Sequence, residues 1–84
     1  MRQIEVFGGT AYINGTQRRV IVAATSMHRV SKLTGLGYGY LRDWWCRTGN
    51  EAEIAAAKAR PEIPLMVSDD RRSFTPVPDG VMQI

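Results

Sequence analysis

The dipeptide Asn14-Gly15 limits the possible folds of this 84-residue chain more than any other feature. Both residues tolerate positive φ, so together they favour a two-residue type I′ turn between antiparallel strands. On its N-terminal side, Ile4 and Val6 alternate with Gln3 and Glu5, the period-two pattern of a strand with one buried face. Gly8-Gly9 interrupts that pattern and predicts a bulge or bend before Ala11 to Ile13 lead into the turn. On the C-terminal side, Gln17 to Ala24 passes from Arg18-Arg19 to the unbroken run Val20-Ile21-Val22-Ala23-Ala24. So short a run, rich in β-branched residues, reads as a central strand buried on both faces.

Thr25 or Ser26 can then cap a helix in which Met27, Val30 and Leu33 follow at helical spacing, and Gly35 ends it. Tyr38, Leu41 and Trp45 are related by steps of three and four, so they share one face of a second helix that runs to Gly49. Trp44 lies at the edge of that face, and Tyr40, Asp43 and Arg47 lie on the other side. Asn50 with Glu53 three residues later forms a variant of the capping box, which opens a third helix through Ala59, and Pro61 stops it. Ile54 is the only large apolar residue of that alanine-rich helix, so it acts as a brace. Ile63, Leu65 and Val67 alternate as a strand, Asp69-Asp70 turn the chain, and Arg72 to Val77 return with Phe74 in the core. Pro76 and Pro78 make this last arm an edge or a frayed end. The expected order is ββαααββ, a single α+β domain over residues 1–84. Its small antiparallel sheet would consist of two hairpins, with three short helices on one side.

A chain this short supports one core, burying about 60–65% of the surface that the unfolded chain exposes. A single cysteine cannot close an intramolecular disulfide, and one cysteine with one histidine cannot complete a four-ligand zinc site. The core must therefore hold without cross-links, and neither metal nor cofactor is expected. No early apolar run resembles a secretory leader, and no stretch approaches the roughly 20 apolar residues of a membrane span. The expectation is a soluble cytoplasmic protein, in the host cytosol, without a membrane partner.

The parts of a catalytic centre are not evident. Cys46 and His28 fall on different predicted helices with no third group to orient them, and Asp69-Asp70 reads as a turn. Gly35, Gly37 and Gly39 lie between helices, whereas a dinucleotide fingerprint follows a strand. No catalytic residue and no small-molecule substrate is expected. What remains is a binding surface, and the homodimer is among its possible forms.

Two readings of that surface compete. Ser26 to Trp45 resembles a helix-turn-helix unit in the spacing of Val30, Ser31, Leu33, Gly35, Leu36, Leu41 and Trp44. That resemblance implies a recognition helix from Tyr38 to Arg47, with Tyr38, Gly39 and Arg42 near base edges and Arg29, Lys32 and Arg47 near phosphates. Thr34 in an apolar position, Gly37 and Gly39 at the start of the second helix, and Asp43 toward the DNA backbone all depart from the pattern. Eleven Lys and Arg against eight Asp and Glu give a charge of +3 spread along the chain, which is compatible with nucleic acid without requiring it. In the competing reading, two tryptophans, Tyr38, Tyr40 and Leu41 overfill so small a core. Tyr40 and Trp44 then stay partly exposed beside Arg42 and Arg47, and these residue types concentrate binding energy at protein interfaces. Across the two readings the candidate partner-binding residues are Arg29, Lys32, Tyr40, Arg42, Trp44 and Arg47.

The combination Ala23-Ala24-Thr25-Ser26, Leu33-x-Gly35, Leu41-Arg42, Thr48-Gly49-Asn50, Glu53-Ile54 and Ala57 with Pro61 resembles a group of short proteins encoded by phages and prophages. The resemblance covers about half of the chain and implies a phage context. Small phage proteins without catalytic parts often act stoichiometrically on host transcription or on a host defence complex. The expectation is thus an anti-CRISPR-like inhibitor that binds a host protein or nucleoprotein complex through protein contact. The alternative is a helix-turn-helix DNA-binding regulator. The positive charge argues against DNA mimicry, which calls for an acidic surface.

Overall fold

The computed structural model describes residues 3–78 and the backbone of Met82 and Gln83. Asn14 and Gly15 take φ of 53° and 81°, closing a hairpin between β1 (Glu5–Ile13) and β2 (Thr16–Ala24). Pairing runs from Glu5 opposite Ala24 to Ile13 opposite Thr16 with no residue skipped, so the bulge expected at Gly8-Gly9 is absent. The two glycines serve the faces of the sheet instead. A Cβ on Gly9 would lie 2.6 Å from Nε1 of Trp45, and one on Gly8 would lie 2.8 Å from a terminal nitrogen of Arg19. Each glycine lets a large side chain lie directly on the backbone.

Among the described residues, the hairpin is the middle of a six-stranded antiparallel sheet. Helix α1 (Met27–Thr34) is capped by Ser26, whose Oγ accepts from the Arg29 N–H, and ends at Gly35 in the left-handed region with φ of 77°. Helix α2 (Tyr38–Trp44) is followed by β3 (Cys46–Arg47), then by α3 (Glu51–Ala59), β4 (Leu65–Val67), β5 (Phe74–Pro76) and β6 (Met82–Gln83). The strand order is β3-β1-β2-β4-β5, and β6 pairs with β1 opposite Tyr12 and Ile13. Because β2 occupies the other edge of β1, strands β3 and β6 share one edge at its two ends. At two residues each, they are too short to show a period in the sequence, which is why only four strands were expected.

The helices do not share one side. Phe7, Ala11 and Ile13 of β1 join Val20, Val22 and Ala24 of β2, together with Val30, Leu36, Leu41 and Trp45 of the α1–α2 region. The intervening residues Val6, Ile21 and Ala23 join Leu65, Val67 and Ala57 of α3. Since successive residues of a strand point to opposite faces, α1 and α2 cover one face and α3 covers the other. The physical reason is the apolar run of β2: every residue from Val20 to Ala24 is fully buried, which requires cover on both faces. The alanine-rich α3 supplies the second cover at short range.

Gly9→Ala should destabilise the fold by about 2 kcal/mol or more through overpacking against Trp45. Gly39→Ala, in the exposed first turn of α2 where the added Cβ would meet nothing within 4 Å beyond its own helix, should instead stabilise it by up to about 1 kcal/mol. Denaturant unfolding of the two variants measures both signs.

Candidate partner-binding site

The six candidate residues fall into different environments. Helix α2 is shorter than the sequence suggested, because Trp45 adopts an extended backbone, with φ of −108° and ψ of 149°. That turn places its indole over Gly9 and starts β3, so Arg47 stands on an edge strand rather than on a recognition helix, and Gly49 ends no helix. Cys46, expected on the flank of α2, is likewise on β3 and exposed. Arg47 donates from Nη1 to Glu5 at 2.7 Å across the β3–β1 edge. Arg29 on α1 donates from Nε to Glu62 at 2.6 Å, and this guanidinium holds the Glu62 carboxyl below its usual range. Arg42 leans on the neighbouring Asp43 at 3.4 Å, and Lys32 is exposed on the last turn of α1. The described ion pairs thus engage three of the four candidate cations.

Tyr40 and the two tryptophans divide sharply. Tyr40 is half-buried and donates its hydroxyl to the Thr10 carbonyl at 2.8 Å, while the Trp45 indole N–H reaches the same oxygen at 3.3 Å. These donors satisfy the edge of β1 in the gap between β3 and β6. Tyr40 is therefore largely a structural residue, which its spacing alone could not reveal. Trp45 is 3% exposed, whereas Trp44 is 73% exposed. At about 100° per residue, Trp44 lies one turn beyond Tyr40 on the same side of α2, whereas Arg42 lies on the other side with Tyr38. Tyr38 stacks on His28 of α1, with ring centroids 4.1 Å apart and planes 5° from parallel. Thr34, the polar residue between the helices, is satisfied: its hydroxyl donates to the Val30 carbonyl at 2.8 Å and accepts from the Leu36 N–H at 3.2 Å.

A polar tie on the opposite face escaped the sequence reading. Glu53, 2% exposed, accepts from Arg19 Nε at 2.6 Å and Nη2 at 2.9 Å, and from the Thr48 hydroxyl at 2.6 Å. Only half of the expected capping box forms: Asn50 Oδ1 accepts from the Glu53 N–H, but the Glu53 side chain turns to Arg19 instead of the Asn50 N–H, which donates to Thr48. A glutamate in the first turn of an alanine helix was the available signal, and it read equally well as a cap.

Among the described residues, no group of three or more His, Cys, Asp or Glu is placed to hold a metal ion, and no helix is long and apolar enough to cross a membrane. Asp69-Asp70 forms the expected turn: Asp70 accepts from the Ser68 hydroxyl and the Arg72 N–H, and Asp69 pairs with Arg18 at 3.0 Å. No protein family, curated protein or solved structure matches this chain.

Arg19, and to a lesser degree Thr48, hold the Glu53 carboxyl below its ordinary range. A carboxylate whose folded pKa is depressed contributes stability above the unfolded value of about 4.3, and that contribution is lost as pH falls through the folded value. Glu53→Gln should cost about 2 kcal/mol or more near neutral pH, since the partly solvated Arg19 is left without its partner. The same variant should flatten the acid limb of the stability curve below about pH 4.5. Urea unfolding of both proteins across pH 3–7 tests the two effects together.

Proposed function

We propose that the protein is a phage-type accessory protein that acts by stoichiometric binding to a host protein complex. In this reading it inhibits a host defence complex in the anti-CRISPR manner, in the host cytosol, through a contact centred on Trp44. The observation that carries the contact is the 73% exposure of that indole beside a second tryptophan that is buried. Tryptophan is among the residues that dominate interface energies, so an indole left this exposed offers a centre for such a contact. Lys32 on α1 and Arg42, on the side of α2 away from Trp44, add positive charge to the same two-helix layer. The kind of partner rests on the phage-type resemblance of the segments around Ala23 to Ser26 and Thr48 to Asn50.

A second reading, a DNA-binding regulator, is favoured by the two helices joined through the left-handed Gly35. Against it stand the seven residues of α2, the removal of Arg47 to an edge strand and the engagement of Arg29 with Glu62. Duplex binding whose affinity falls steeply with salt supports this second reading, and no binding at low salt removes it.

Phage infection of hosts that each carry one defence system provides the test of the first reading. Expression of the wild-type chain should restore plaque formation in one such host. Trp44→Ala should fail to do so while its unfolding free energy stays within about 0.5 kcal/mol of wild type. Full restoration by Trp44→Ala, or no effect of the wild type in any host, rejects the reading.

A further inference from the structure

Two exposed rings on the α1–α2 layer lie against each other instead of in the core. His28 of α1 and Tyr38 of α2 stack with centroids 4.1 Å apart and planes 5° from parallel. His28 is exposed and Tyr38 is 38% exposed, so the pair stays open to solvent. A Cβ built on Gly37 or on Gly39 would meet nothing within 4 Å beyond its chain neighbours and its own helix. The backbone on both sides of Tyr38 is therefore clear, and Gly39, a poor helix former, stands where no packing contact requires it. A cation follows each ring by one helical turn. Lys32 comes four residues after His28 on α1, and Arg42 four residues after Tyr38 on α2, which sets the Cβ atoms of each pair about 5–6 Å apart. Lys32 is exposed and takes part in none of the described ion pairs. Arg42 gives its Nε to Asp43 at 3.4 Å, which leaves its two terminal nitrogens for another acceptor.

We infer that this surface binds a single nucleic-acid strand, with a base stacked on the His28–Tyr38 pair and the adjoining phosphates held by Lys32 and Arg42. Aromatic faces beside cations are the parts such binding needs, because every base has a π-face and every nucleotide a phosphate. An acidic peptide matches the two cations alone. The parallel rings match a base as well, since their 4.1 Å spacing is close to the rise of about 3.4 Å per nucleotide along a stacked strand. A duplex covers the faces of its bases and presents only their edges in the grooves, so ring faces select an unpaired strand. The net charge of +3 favours the approach of phosphate. Trp44 lies on the other side of α2 from Tyr38 and Arg42, so this surface is distinct from the Trp44 contact.

Fluorescence anisotropy of labelled oligo(dT) and oligo(U), titrated with the full chain at low salt, tests this. An abasic strand and a duplex of the same length serve as controls. Saturable binding of at least one single strand is expected, tighter by about tenfold than binding of the abasic strand. Tighter binding of oligo(U) assigns the strand to RNA, and equal or tighter binding of oligo(dT) assigns it to DNA. Tyr38→Phe should keep the affinity, whereas Tyr38→Leu and His28→Leu should each lower it about tenfold, with circular dichroism reporting that the variants stay folded. Should Tyr38→Leu unfold, His28→Leu at its exposed position decides the point. Arg42→Gln should weaken binding and reduce the slope of log affinity against log salt by about 0.7. Lys58→Gln, which removes the same charge from α3 on the opposite face of the sheet, should change neither. No binding of either single strand, equal binding of the abasic strand or the duplex, or wild-type affinity in the folded leucine variants overturns the assignment.

Discussion

The ion pair between Arg19 and Glu53 is the contact on which the arrangement of this fold depends. A helix composed largely of alanine buries little apolar area, so α3 cannot be held to the sheet by hydrophobic contact alone at about 25 cal/mol per Å². Glu53 supplies what the alanines lack, a directional bond to the middle of β2 through the two nitrogens of Arg19. Its third bond, from the Thr48 hydroxyl, draws in the segment that leaves β3, so one carboxylate fixes a strand, a helix and the loop that precedes the helix. A buried ion pair is often no more stabilising than an apolar replacement. Here its effect is on position: it sets where α3 lies against the sheet.

The opposite face is organised by a steric rather than an electrostatic device. Gly9 lets the Trp45 ring lie on the backbone of β1, and the indole N–H then shares the Thr10 carbonyl with the Tyr40 hydroxyl. An edge carbonyl that would otherwise face solvent, or a strand from another molecule, is occupied by side chains. Gly8 does the same for Arg19 on the α3 side. The consecutive glycines are thus one adaptation on each face of a single strand, and the strand stays regular because neither is needed for a bend.

Much of the local structure was legible in the sequence. Asn14-Gly15, Ser26, Gly35 and Asn50 act where their backbone preferences indicate, because turns and caps are decided by a few adjacent residues. The α+β class also followed from the patterns. What did not follow was set by contacts between distant segments. The end of α2 is fixed by Trp45 reaching Gly9, the side of the sheet that α3 covers is fixed by Glu53 reaching Arg19, and β3 and β6 exist only as partners of β1. The run Val20 to Ala24 did contain the information that both faces need cover, yet the helices were assigned to one side. For the candidate site the same division holds. Trp44 was legible only together with Tyr40 as an aromatic left partly outside a full core, and nothing local showed that Tyr40 would reach the Thr10 carbonyl; the partners of Arg29 and Arg47, Glu62 and Glu5, lie 33 and 42 residues away.

Magnitudes decide which of the candidate residues can centre a contact. Arg29, Arg42 and Arg47 are exposed and already have carboxylate neighbours, and an exposed pair contributes about 0–1 kcal/mol. Exchanging one such pair for another across an interface therefore yields little. A tryptophan side chain offers up to about 250 Å², so an indole 73% exposed represents about 3–5 kcal/mol of apolar burial as an upper bound. Nor can the protein recover that energy by itself. The position over Gly9 is filled by Trp45, and the extended backbone at Trp45 ends α2 and leaves Trp44 without a following helical turn to pack against. Of the six candidates, Trp44 alone carries a large unmet apolar surface, so in the proposed contact the ring, not the charged residues, would supply the affinity.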